Sequence, residues 1–138
     1  EPLPECPELY LVLMKPPFGV STPKVYGNLR VHEITDHPDI QHCIQGLHKG
    51  DKLQILESMG NVLEKSTFEL QPKVKAIKDG MRACGAEHVL MSGSGPTVFA
   101  AFAEYSDAET YYSKLKRQYP SAILTRTVNK KQLEERVK

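Results

Sequence analysis

Val89-Leu90-Met91-Ser92-Gly93-Ser94-Gly95-Pro96-Thr97-Val98-Phe99 sets a loop almost bare of side chains between two short apolar runs. The flanks predict buried strands over Ala86–Met91 and Thr97–Ala103, paired antiparallel across the loop. Gly93 and Gly95 allow backbone conformations closed to other residues and leave room for another group to approach, while Pro96 fixes the exit. Two readings stand side by side. In one, the loop is a tight hairpin turn that uses glycine because φ must be positive. In the other, it aims backbone N–H groups at an anion. It is not a Walker A loop, which needs Gly-Lys-Ser/Thr leading into a helix; here Pro96-Thr97 leads into Val98-Phe99-Ala100-Ala101-Phe102. Local sequence favours the turn.

Immediately upstream, Pro72 at a first helical position opens a helix with Val74, Ile77, Met81 and Cys84 on one face, and Gly85 is placed to end it. Before that, Asp51 caps a helix whose buried stripe is Leu53, Leu56, Met59, Val62 and Leu63, slightly weakened by Gly60. Asn61-Val62-Leu63-Glu64 lies on this helix. Asn61 is read in a structural role, its side chain free to hold the backbone of a neighbouring loop; the alternative is an exposed Asn beside core positions. From Asp39 a further helix presents Ile40, Cys43, Ile44 and Leu47 and ends at Gly50.

Near the start, Leu9-Tyr10-Leu11-Val12-Leu13-Met14 is a continuous apolar run of strand length, which predicts a strand buried on both faces. Pro16-Pro17 stops it and Gly19 permits a turn. Thr22-Pro23 then starts a short helix, the hydroxyl capping a first-turn N–H and proline standing where no N–H is needed. Val25, Tyr26 and Leu29 follow on it. Strand, turn and helix start together make a common ligand position, although a capped helix alone explains the pattern.

Downstream of the loop, Ser106-x-x-Glu109 reads as a capping box opening a helix with Ala108, Tyr112, Leu115 and Tyr119 toward the sheet. Pro120 ends it, and Ala122–Val128 is a final strand rich in β-branched residues. Residues 1–8, with three prolines, read as a linker, residues 9–128 as one domain, and residues 129–138 as a charged tail. Strands and helices segregate, which predicts an α+β fold: a four-stranded, mostly antiparallel sheet with helices packed mainly on one face.

Composition narrows the function classes. A chain of 138 residues with a net charge of +1 carries no electrostatic footprint for nucleic acid or an anionic membrane. It contains no long apolar run. Three cysteines, Cys6, Cys43 and Cys84, lack C-x-x-C spacing and read as free thiols in a reducing cytoplasm. No leader precedes an apolar segment, so no signal peptide is expected, and the chain reads as a piece of something longer. His32, Glu33, Asp36 and His37 have metal-ligand chemistry, but Pro38 breaks any helix that would present them, so a solvated loop is the better reading. His42, His48 and His88 are isolated. No metal site is expected.

Met91-Ser92-Gly93-Ser94-Gly95-Pro96-Thr97-Val98-Phe99-Ala100 resembles the C-terminal motif of the GHMP kinases, the family of galactokinase, homoserine kinase and mevalonate kinase. Val12-Leu13-Met14-Lys15-Pro16-Pro17-Phe18-Gly19-Val20-Ser21-Thr22 followed by Val25-Tyr26, then Asn61-Val62-Leu63-Glu64, then the glycine loop, stand in the order of the branch acting on a diphosphocytidyl methylerythritol. The match runs from Leu3 to Val128. The resemblance implies a ferredoxin-like C-terminal domain of an ATP-dependent kinase in non-mevalonate isoprenoid synthesis. It implies Thr22, Pro23 and Tyr26 on the cytidine side, with Tyr26 stacking on the base; a Tyr packed half into the core is the competing reading. It implies Ser92, Gly93, Ser94, Gly95 and Thr97 on the phosphate side.

The family's ATP loop, lysine and aspartate have no counterpart here, so no catalytic residue is expected in this chain. ATP and Mg would serve the whole enzyme, and neither is expected bound to this piece. Its partners would be the small-molecule substrate and an N-terminal kinase domain, with self-association following if an apolar face is left uncovered. Alone it should be inactive. A noncatalytic, small-molecule-binding regulatory domain on the same sheet is the alternative.

Overall fold

The computed structural model describes residues 5–29 and 38–128. Its first strand, β1 (Tyr10–Met14), is apolar throughout because both of its faces are covered. Val12 and Met14 point into the larger core with Val98 and Ala100 of β3 (Val98–Phe102), whereas Leu9 and Leu11 join Phe99 and Ala101 on the opposite face. Alternation along a strand sends successive side chains to opposite faces, so an unbroken apolar run requires two coverings.

Those coverings are unequal. On the main face lie α1 (Thr22–Gly27), α4 (Glu64–Leu70), α5 (Pro72–Ala83) and α6 (Tyr105–Gln118), which contribute Val25, Phe68, Val74, Met81, Tyr111 and Leu115. On the other face, α2 (Ile40–Lys49) and α3 (Lys52–Glu57) contribute Cys43, Leu47, Ile55 and Leu56. Each fully buried Val or Leu contributes about 1.5–3 kcal/mol relative to exposure.

With β2 (Val89–Met91) and β4 (Ile123–Arg126), the sheet has four strands in the order β2-β3-β1-β4, and every pairing is antiparallel. In this ferredoxin-like order β1 and β3 hold the centre. Met91 pairs with Val98, which brings the glycine loop to one end of the β2–β3 hairpin. At the opposite end of the sheet, Leu9 N–H donates to Thr127 Oγ1 at 2.9 Å and Thr127 N–H donates to Leu9 O at 2.9 Å. The α+β class, the antiparallel sheet and the bias of helices to one face are as the sequence predicts.

Several local expectations are corrected. The helix capped by Asp51 stops at Glu57, because Ser58 turns its hydroxyl back onto the Ile55 carbonyl at 2.7 Å and Gly60 packs on Pro38. Leu53 is exposed, Asn61 lies in a turn, and α4 follows as a separate helix. On α2, Ile40 faces solvent while Gly46 is buried, since α2 and α3 meet at that glycine. The cap of α1 is Ser21, whose hydroxyl accepts from Lys24 N–H; Thr22 is the first helical residue. Ser106 caps nothing, because α6 begins at Tyr105, whose ring packs edge-on against Tyr10 at 5.5 Å. Tyr111, outside the expected stripe, is buried in the main core, while Tyr112 packs against that core partly buried, as the stripe expects. Cys6, Cys43 and Cys84 are free thiols. His32, Glu33, Asp36, His37 and the tail over 129–138 lie outside the described residues.

Candidate functional site

The glycine loop is held by three segments distant from it in sequence. Thr22 Oγ1 at the start of α1 lies 2.9 Å from Ser94 Oγ, in hydrogen-bond contact. Thr67, on α4 and fully buried, donates its hydroxyl to Ser94 O at 3.0 Å. From the turn before α4, Asn61 Nδ2 donates to Met91 O at 2.8 Å and to Gly93 O at 2.7 Å, while its Oδ1 accepts from Leu63 N–H at 2.9 Å. The structural role expected for Asn61 is thus present, in a turn instead of a helix.

Glu64 adds a fourth hold. Its Oε2 accepts from Met91 N–H at 2.8 Å, and its Oε1 pairs with Lys78 of α5 at 2.5 Å. Met91 lies on a sheet edge that no strand covers among the described residues, so these side chains supply partners that a neighbouring strand would otherwise give.

Both glycines have positive φ, +56° at Gly93 and +88° at Gly95, yet their surroundings differ. A Cβ on Gly93 would meet nothing within 4 Å, whereas one on Gly95 would stand 3.0 Å from Met91 Sδ and 3.3 Å from Thr67 Cγ2. The turn and amide readings divide between residues. Ser92 N–H donates to Thr97 O at 2.8 Å and Gly95 N–H to Ser92 O at 2.9 Å, so these two amides close the hairpin. The Gly95 amide is thus engaged within the hairpin itself. The N–H groups of Gly93 and Ser94 bond to no acceptor among the described residues.

On the neighbouring wall, Val25 is the core residue of α1, and Tyr26 is 57% exposed. One helical turn separates Thr22 from Tyr26, which places them on a common face. Pro23 is exposed beside them. The contact between Thr22 and Ser94 thus joins the cytidine-side and phosphate-side candidates into one surface, although they stand far apart in the chain. Ser92 is exposed and Thr97 half-buried.

Thr67 carries no local signal, because the spacing of apolar residues over 64–70 does not single out α4. Behind the loop, a cavity of about 630 Å³ follows the outer edge of β2, lined among others by Asn61, Glu64, Lys78, Arg82 and His88. None of the predicted site residues lines it. Among the described residues, no three His, Cys, Asp or Glu side chains gather to hold a metal ion, and no helix is long and apolar enough to cross a membrane.

Comparison with known proteins shows the family of the chain. Residues 43–121 match the family model described as GHMP kinases C terminal. The 4-diphosphocytidyl-2-C-methyl-D-erythritol kinase of Brevibacillus brevis is 50% identical over 107 residues, covering 78% of this chain and 37% of the relative. The same-named kinase of Listeria monocytogenes is 50% identical over 114 residues, covering 83% and 39%. The chain therefore spans less than half the length of these relatives. A crystal structure of 4-(cytidine 5'-diphospho)-2C-methyl-D-erythritol kinase superposes with a TM-score of 0.71 at 28% identity, over 91% of this chain and 45% of that one. Homoserine kinase from Cytophaga hutchinsonii gives 0.69 at 24% identity over 92% and 44%, a likeness of fold.

Proposed function

The chain belongs to the GHMP kinases as a C-terminal domain of that family, and on this premise we propose that the protein containing it transfers the γ-phosphate of ATP to the 2-hydroxyl of 4-diphosphocytidyl-2-C-methyl-D-erythritol. The observation that carries the reading is the contact between Thr22 and Ser94, which brings a cytidine-side candidate against a phosphate-side one. The 50% identity to kinases of that name, over 37% and 39% of their length, supports it.

Phosphoryl transfer is mainly positioning and charge stabilisation. The unbonded amides of Gly93 and Ser94 would face a phosphate, with Gly95 shaping the turn and the hydroxyls of Ser92 and Thr97 beside it. Thr22, Pro23 and Tyr26 would line the cytidine end, the exposed Tyr ring offering a stacking face. The nucleotide loop, the group that activates the hydroxyl and the ligands of a Mg ion would belong to an N-terminal domain. The reaction would take place in the cytoplasm. Separated from that domain, the chain would leave Leu70 and Ile123 exposed and would self-associate.

The test is ATP consumption with the diphosphocytidyl substrate, comparing the complete reading frame with this chain. Turnover is expected only in the complete frame. Equal turnover in both would contradict the division of labour, and none in the complete frame would favour a regulatory domain.

A further inference from the structure

We propose that Asn61 and Glu64 are positioning residues that aim the Ser94 N–H at the phosphate; this rests on the kinase reading above. In a planar trans peptide the carbonyl and the following N–H point in opposite directions. Asn61 Nδ2 draws the Gly93 carbonyl toward the β2 edge at 2.7 Å, so the N–H of Ser94, in the same peptide unit, points away from that edge. The same amide nitrogen also takes Met91 O at 2.8 Å. Two carbonyls flanking Ser92 are thereby pinned by one side chain, whose orientation is set in turn by Leu63 N–H on Oδ1.

Glu64 fixes the base of the loop. Its carboxylate binds the Met91 N–H and the Lys78 ammonium, with both side chains largely buried at 15% and 16% exposure. Neither Asn61 nor Glu64 lies among the residues expected to touch substrate. What they determine is the direction of a donor that does. A prealigned donor needs no reorganisation as charge develops on the transferred group.

Asn61→Asp tests the idea, because it preserves shape and the acceptor for Leu63 while setting a carboxylate oxygen against two carbonyls. In this chain, the Ser94 amide resonance is expected to shift and its hydrogen exchange to change. In the complete reading frame, kcat should fall about tenfold or more, with KM for the diphosphocytidyl substrate within about twofold. Glu64→Gln, which keeps an acceptor for Met91, should retain more activity than Glu64→Ala. Ile55→Val, on the far face of the sheet, controls for lost stability.

An unmoved Ser94 resonance in Asn61→Asp would overturn the aiming role. A kcat loss no greater than that of Ile55→Val would overturn its part in the reaction. Absence of turnover in the unmutated complete frame would instead strike down the kinase reading, and the Ser94 resonance would still decide whether Asn61 sets the loop.

Discussion

Gly93 and Gly95 occupy equivalent backbone territory but answer different constraints, and substitution separates them. Alanine at Gly93 meets open space and pays only for a left-handed conformation, so Gly93→Ala should lower stability by about 1–2 kcal/mol. Gly95→Ala adds crowding against Met91 and Thr67, where overpacking typically costs a further 1–3 kcal/mol or so, and its loss should exceed that of Gly93→Ala. Urea unfolding of the two variants measures the order; equal midpoints would contradict it. The need for glycine was legible in Ser92-Gly93-Ser94-Gly95-Pro96. Which amides remain free was not, because Thr67 and Asn61 reach the loop from elements about thirty residues away in sequence, and no local pattern encodes such an approach.

Between elements, close packing outweighs intrinsic preference at Gly46. Alanine is favoured over glycine in a helix by about 1 kcal/mol. Its Cβ at this position would nevertheless lie 3.0 Å from Ile55 Cγ1 and 3.2 Å from Ile55 N, an obstacle that includes backbone. Gly46→Ala should therefore destabilise by about 1–2 kcal/mol, and a raised thermal midpoint would show that α2 and α3 stand farther apart. On the main face, Tyr111 Oη donates to Met81 O at 2.7 Å, satisfying a carbonyl in the last turn of α5. Burial pushes the Tyr111 phenol above its ordinary value, with smaller contributions from Cys84 and Tyr119. Below pH of about 10 both folded and unfolded chains keep the proton; above it the unfolded chain releases it first, so stability falls with rising pH. Tyr111→Phe should lose about 1 kcal/mol at neutral pH but show a shallower decline between pH 9 and 11 in urea titrations. An unchanged decline would refute the assignment. Helix faces with regular spacing, such as Val74, Ile77 and Met81, were readable in the sequence. The break at Ser58 was not, because a serine hydroxyl that turns back on its own helix resembles any other polar position until Gly60 and Pro38 are seen to meet.

At the scale of the molecule, the two-sided apolar run at β1 revealed a buried strand but not its neighbours. Antiparallel pairing to β3 on one side and β4 on the other depends on connections that hydrophobic pattern does not encode. The paired exchange of hydrogen bonds between Leu9 and Thr127 makes the path through the domain nearly a ring. A short bridge could join those two residues, and the chain could be reopened at the exposed junction of Gly50 and Asp51. Such a circular permutant should give the same circular dichroism spectrum and unfold within about 2 kcal/mol of the parent; failure to fold would show that the original order of synthesis is indispensable. If the permutant folds, the domain is a cassette that can be threaded into a host protein through a single surface site, both of its seams leaving side by side.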